Sequence, residues 1–201
     1  AEAGGAPRGL MGSMPAPPRR IQWDSFIKGR CFRLYYGRGQ GASYLGHMLR
    51  TLKPAARAIV RGSAAYPAVE GYVTFYPSGP GVVVAAEFTG LPGESGPCAG
   101  RVFGFHIHEG SSCTGTEDTP FADAGSHFNP YDCEHPQHAG DLPPLFGNAG
   151  FAWNMVYTDR FTVPQVVGRT VVVHLNPDDF TSQPAGMSGE RIACGVILPL
   201  T

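Results

Sequence analysis

From Ala56 almost to the end, the chain falls into short apolar-rich runs, several of which alternate apolar and polar positions. The runs "ARAIVRG" (56–62), "EGYVTFYP" (70–77), "GVVVAAEFTG" (81–90) and "RVFGFHIHE" (101–109) come first. "FAWNMVYTD" (151–159), "GRTVVVHL" (168–175) and "RIACGVILP" (191–199) follow. β-Branched and aromatic residues with a period of two predict strands, because successive side chains of a strand point to opposite faces. Between the runs stand "GSAAYPAV", "SGP" and "GLPGESGPCAG", which is turn chemistry. Many short strands punctuated in this way predict an all-β sandwich or barrel. Two regions break the pattern. Residues 110–147 have little periodicity and much Pro, Asp, His and Gly, and so long a loop needs a reason to be ordered. The first 20 residues carry no pattern, and residues 23–53 are mixed, with a short helix expected over Tyr44 to Leu52.

Composition narrows the class. A chain of 201 residues suits one domain with a tail or two small ones. Its hydrophobic content of 42% supplies a core, and 28 Gly with 19 Pro favour short elements joined by turns. No apolar run reaches the roughly eighteen residues of a spanning helix. The opening "AEAGGAPRGLMGSMPAPPRR" lacks the apolar stretch of a signal peptide. Net charge is only -1, but the signs are divided. Residues 1–61 hold eleven Lys/Arg against two Asp/Glu, whereas residues 62–201 hold four against fourteen. The basic arm suits nucleic acid, an anionic surface or its own acidic domain. It contains no base-reading motif, so no nucleic-acid partner is expected. The five cysteines (31, 98, 113, 133 and 194) include no C-x-x-C pair, and an odd count leaves at least one thiol without a partner in the chain.

The chemistry lies in the histidines. His106 and His108, in "GFHIHEG", are two apart on a strand and share one face, close enough to hold one ion. Taken alone, such a pair is more often an ordinary polar face. The loop "GSHFNPYDCEHPQHAGD" adds His127, His135, His138 and Asp141 within fifteen residues. Three imidazoles and a carboxylate make a complete tetrahedral set for zinc, and the ion would offset the entropy of ordering the loop. Cys133 is a further candidate. His174 ends the strand "TVVVH". Together with His106 and His108 it would make an imidazole-rich site with an open position, which suits a redox copper ion.

These stretches resemble the copper–zinc superoxide dismutase family. "GFHIHEG", "GSHFNP", "HAGDLPPL", "GRTVVVH" and "ERIACGVI" match its motifs in order, over roughly Ala56 to Pro199. The resemblance implies an eight-stranded, immunoglobulin-like Greek-key β-sandwich or barrel with long metal-binding loops at 56–201, preceded by a basic extension at 1–55. It implies copper ligands His106, His108, His127 and His174, and zinc ligands His127, His135, His138 and Asp141, with His127 shared. Asp178 would link His106 to His135 and orient both rings. Arg191 would draw the substrate anion to copper. Cys113 and Cys194 would form a disulfide. A second bridge, between Cys98 and Cys133, is expected beyond the family pattern, since both flank the metal strand and loop.

The implied activity is disproportionation of superoxide to oxygen and hydrogen peroxide, with His127 and Arg191 as the catalytic side chains. The alternative is a non-enzymatic relative that binds or delivers metal. "TSQPAG" resembles bacterial members, and segment 175–190 departs from eukaryotic ones in being short and free of the lysine that helps shape their substrate channel. Members occur as monomers and as dimers, so a homodimer is among the expected assemblies. A disulfide and the bacterial look point to an extracellular, periplasmic or cell-surface location.

Overall fold

In the computed structural model the described residues are 51–93 and 100–201. The expected helix over Tyr44 to Leu52 falls almost wholly outside them, as do Cys31 and Cys98. Among the described residues nine strands run in the order β1 (Ala56–Gly62), β2 (Glu70–Ser78), β3 (Gly81–Thr89), β4 (Arg101–Phe103), β5 (Phe105–His108), β6 (Leu145–Gly147), β7 (Ala152–Thr158), β8 (Thr170–His174) and β9 (Arg191–Pro199). Among the described residues a 3-10 turn spans Ala122–Ala124, and a short α-helix, α1 (Val163–Val166), precedes β8. It starts with a capping box between Thr162 and Gln165, with Pro in its first turn.

All pairings are antiparallel. Seven strands pair in the order β5-β8-β9-β1-β2-β3-β7, and β4 pairs with β6. The crossovers that place β8 beside β5 and β9 beside β1 give the expected all-β, Greek-key-like arrangement. The two halves of the long sheet face each other across one core. Phe105, Ile107, Val171 and Val173 from β5 and β8 share it with Val73, Phe75, Val84 and Phe88 from β2 and β3. Phe88 and Phe105 meet edge to face across the middle, with centroids 6.0 Å apart.

The run "RVFGFHIHE" reads as one strand, but the chain changes partners within it at Gly104. The Gly104 N–H donates to the Asn176 carbonyl and its carbonyl accepts from the His174 N–H. A Cβ there would lie 2.7 Å from Ser188 Oγ, so only glycine lets the 176–190 segment cross so close. The strand β6 and helix α1 were not anticipated; each is too short to show a period.

Every residue of β5 is buried, although its sequence alternates. Phe105 and Ile107 face the core. The other face is covered because the long loop lies along the free edge of β5. Ile107 N–H donates to Gly140 O, Phe128 N–H to Ile107 O and Glu109 N–H to Ser126 O. This edge pairing sets His127 across from His108, and Asp141 across from His106. A Cβ on Gly140 would stand 2.2 Å from the Ile107 carbonyl oxygen, so the loop closes on the strand only with glycine there.

Candidate metal centre

Strand geometry places the first cluster. His106 pairs with Val172 and His108 with Thr170, so both rings leave the face of β5 turned toward the loop. His174, at a bulge that ends β8, is bonded to Gly104 through its N–H and rejoins the same face. The loop brings in His127. Each of His106, His108, His127 and His174 offers a nitrogen within 4.8 Å of the others, and all four are buried. A second group, His127, His135, His138 and Asp141, meets the same limit and shares His127 with the first.

The hydrogen bonds fix which nitrogen of each ring is free. Carbonyl and carboxylate oxygens only accept, so a ring nitrogen bonded to one carries the proton and the other carries a lone pair. His108 donates from Nδ1 to the Gly125 carbonyl at 2.9 Å, and His174 from Nδ1 to the Gly189 carbonyl at 3.2 Å. Their two Nε2 lone pairs then face each other at 3.3 Å. His106 and His135 donate from Nε2 to the two oxygens of Asp178, at 2.8 and 2.9 Å. Their Nδ1 atoms, and that of His138, are buried without a hydrogen-bond partner, and those of His135 and His138 face the Asp141 carboxylate at 3.1 and 3.4 Å. Converging lone pairs and orphaned buried nitrogens are costly unless a cation sits among them. The donor sets therefore fit metal ions: an all-imidazole set suits copper, and three imidazoles with a carboxylate suit zinc.

Electrostatics agree with neutral rings. Burial pushes His106 down to about 4, against the opposing hydrogen bond to Asp178. Burial also pushes His174 down to about 3, with the charges of His106, His127 and Arg191 acting in the same direction. His108 is held well below its ordinary value, again chiefly by burial. Burial would raise Asp178, but the hydrogen bonds from His106, the Phe180 N–H and His135 hold it well below the usual carboxylate range. Asp141 is likewise lowered against burial, first by the His127 Nδ1–H bond at 2.7 Å.

Arg191, at the start of β9, is half-buried and donates to three carbonyls of the 121–125 turn: Phe121, Ala122 and Gly125. Cys113 and Cys194 form a disulfide with Cα atoms 5.7 Å apart. Cys133 is a free thiol whose side chain lies near the Tyr131 carbonyl, and the expected bridge to Cys98 falls outside the described residues. Two residues that the sequence reading passed over also reach this loop. Gln183 bonds the backbone of His135, and Arg160 donates to carbonyls of Pro136, His138 and Asp141. Neither carried a sequence signal: a lone Arg after a strand and a Gln in a turn read as solvated residues.

Residues 69–197 match the family described as copper/zinc superoxide dismutase. The Cu-Zn superoxide dismutase of Deinococcus radiodurans is 37% identical over 149 residues, covering 64% of this chain and 76% of that protein. The extracellular Cu-Zn superoxide dismutase of Oryctolagus cuniculus is 32% identical over 189 residues, covering 87% and 69%. Among solved structures, the Cu/Zn superoxide dismutase from Brucella abortus aligns with a TM-score of 0.59 at 26% identity, over 71% of this chain and 98% of that one. Bacterial and mammalian relatives both match, so a bacterial type is not distinguished by these likenesses.

Proposed function

The chain belongs to the copper/zinc superoxide dismutase family, and on that premise we propose which of its residues carry the activity. His106, His108, His127 and His174 would hold copper, and His127, His135, His138 and Asp141 would hold zinc. A copper ion so bound supplies the one-electron cycling by which two superoxide anions and two protons become oxygen and hydrogen peroxide, and zinc, being d¹⁰, stays outside the redox chemistry. The observation that carries the assignment is the pair of clusters joined at His127.

His127 turns Nδ1 to Asp141, and zinc binding there would displace the proton of that contact, which leaves Nε2 for the copper-side cluster. That Nε2 is suited to hold and pass one of the protons the reaction consumes. Asp178 accepts from one ring of each cluster, fixing both tautomers and raising the basicity of both Nδ1 atoms. Arg191 places a fixed positive charge beside the copper-side rings, where a small anion would dock.

Several features extend the reading. The start of β1 at Ala56 supports a β domain at 56–201 after a basic extension at 1–55. "TSQPAG" and the sixteen-residue segment between His174 and Arg191 support a bacterial-type member. The Cys113–Cys194 disulfide supports an oxidising location outside the cytoplasm, as does the name of the extracellular relative. The acidic balance of residues 62–201 speaks against nucleic acid as a partner of the β domain. Exposed Phe146, Phe151 and Trp153 supply apolar surface for a homodimer, which light scattering would detect.

Metal analysis and a superoxide assay on one sample test the assignment. One copper and one zinc per chain, with fast turnover that His108→Ala abolishes along with copper, is the expected result. Full activity in His108→Ala would overturn it.

A further inference from the structure

Five residues separate His135 from Asp141, and none of them lies in a regular strand or helix. The segment still has to present three ligand side chains at fixed angles. Its backbone is the place to look for what fixes them, because a buried peptide group without a partner is costly.

His135 is buried, and its peptide groups take no part in any backbone ladder. One side chain serves both. The Gln183 Oε1 accepts from the His135 N–H at 3.0 Å, and its Nε2 donates to the His135 carbonyl at 2.7 Å. This reproduces, with a single amide, the paired bonds between strands. Gln183 is itself aimed by a turn built on Asp179, whose carboxylate accepts from the N–H groups of Thr181 and Ser182 at 3.0 and 2.9 Å. Asp178, one residue earlier, accepts from the His135 ring. The segment after β8 thus grips His135 at its backbone and at its imidazole.

A different element holds the other end. Arg160, just after β7, points one terminal nitrogen at three carbonyl oxygens: Pro136 at 3.1 Å, His138 at 3.3 Å and Asp141 at 3.4 Å. One nitrogen has two hydrogens and cannot make three good bonds. What the arrangement needs is a cation where three carbonyl dipoles converge and would otherwise repel.

We propose that Gln183 and Arg160 are positioning residues for the zinc-side cluster, clamping the backbone of 135–141 so that His135, His138 and Asp141 are preset before an ion enters. The inference rests on the metal-centre reading above. It separates two roles that a packing argument would merge. Gln183 acts through a donor and an acceptor together, so Gln183→Glu keeps the size and the acceptor but sets an oxygen against the His135 carbonyl. Arg160 acts as a point cation, so Arg160→Lys, with a charged amine, retains the function and Arg160→Met does not.

The test uses the full chain, stripped of metal, titrated with zinc against a competing chelator, with cobalt(II) absorption as a second readout of the same site. Gln183→Glu and Arg160→Met are each expected to weaken zinc about tenfold or more and to change the cobalt bands, while Arg160→Lys stays close to wild type. Two independent variants keep the test open if one fails to fold. Equal zinc affinity in wild type, Gln183→Glu and Arg160→Met would overturn the clamp while leaving the metal centre standing. A wild-type chain that takes up no zinc would overturn the metal-centre reading and the clamp with it.

Discussion

His108 and Arg191 meet at one atom, the carbonyl oxygen of Gly125, which accepts from His108 Nδ1 at 2.9 Å and from an Arg191 terminal nitrogen at 2.7 Å. A copper-side ring and the proposed anion-docking cation are therefore held by the same peptide. The positive charge stands at a set distance from the ring without donating to it, and the His108 tautomer that leaves Nε2 free is fixed by the same contact. Arg191→Ala should lower the rate about tenfold with both metals bound, and should flatten the dependence of rate on salt. Assays across an ionic-strength series, alongside metal content, check this; an unchanged salt slope would remove Arg191 from the docking role.

Asp178 is the only carboxylate that touches a ring unique to each cluster among the described residues. Replacing it by Ala frees His106 and His135 to turn and lets either nitrogen carry the proton. Affinity for both metals should fall, by about 10–100-fold. Chelator competition for copper and zinc measures the two separately, and a loss confined to one metal would contradict the bridging role.

His138 brings the loop to the second cluster. His138→Ala should lower the melting temperature of the zinc-loaded protein, since bound metal contributes its binding energy to folding. The same substitution should cost much less in chelator, where no ion is held. Calorimetry with and without chelator separates these; equal losses would mean that His138 acts by packing alone.

Protonation gives a signed expectation for the metal-free protein. His106 and His174 stand at about 4 and about 3 in the folded chain, below the ordinary 6.5. Between those values the unfolded chain binds more protons, so stability rises with pH up to 6.5 and falls as pH drops through that window. The lowered Asp178 and Asp141 act in the same direction further down. Denaturant melts of metal-stripped protein over a pH series read this directly; a midpoint that increases on acidification would refute it.

The Cys113–Cys194 disulfide joins residues 81 apart, and chain entropy alone assigns it about 4.5 kcal/mol, on a model that ignores native strain. It also pins Cys113, Phe121 and Ala124 against Val172 of β8, close to the carbonyls that hold Arg191. Reduction, or Cys113→Ser, should lower the melting temperature and the rate while metal content persists. A rate unchanged in the reduced, still folded enzyme would separate the bridge from the docking of Arg191.

The strands were legible because their signal is local. β1 alternates, while β3, β8 and β9 are short apolar runs rich in Val and Ile; both signals are written in adjacent residues, and the strand bounds follow the runs closely. The break at Gly104 was not legible, because it depends on Ser188 and Asn176 passing within contact distance, a fact of tertiary packing. The same division runs through the metal centre. Residue types and spacing put His106 and His108 on one face, joined His174 to them and grouped His127, His135, His138 and Asp141; the motifs that resemble a known family supplied the sharing of His127 and the role of Asp178.

Sequence by itself determined the chemical types and which donors lie near each other along the chain: imidazoles in pairs on strands, and a His/Asp set on one loop. Only the folded chain decided which nitrogen of each ring is free, because that is set by Gly125, Gly189 and Asp178, acceptors 15 to 72 residues away. Only the fold, too, decided what holds the loop's backbone, since Gln183 and Arg160 come from two separate segments. Hydrogen bonds reach about 3 Å and are indifferent to distance along the chain, so their partners become visible only when packing has brought them together.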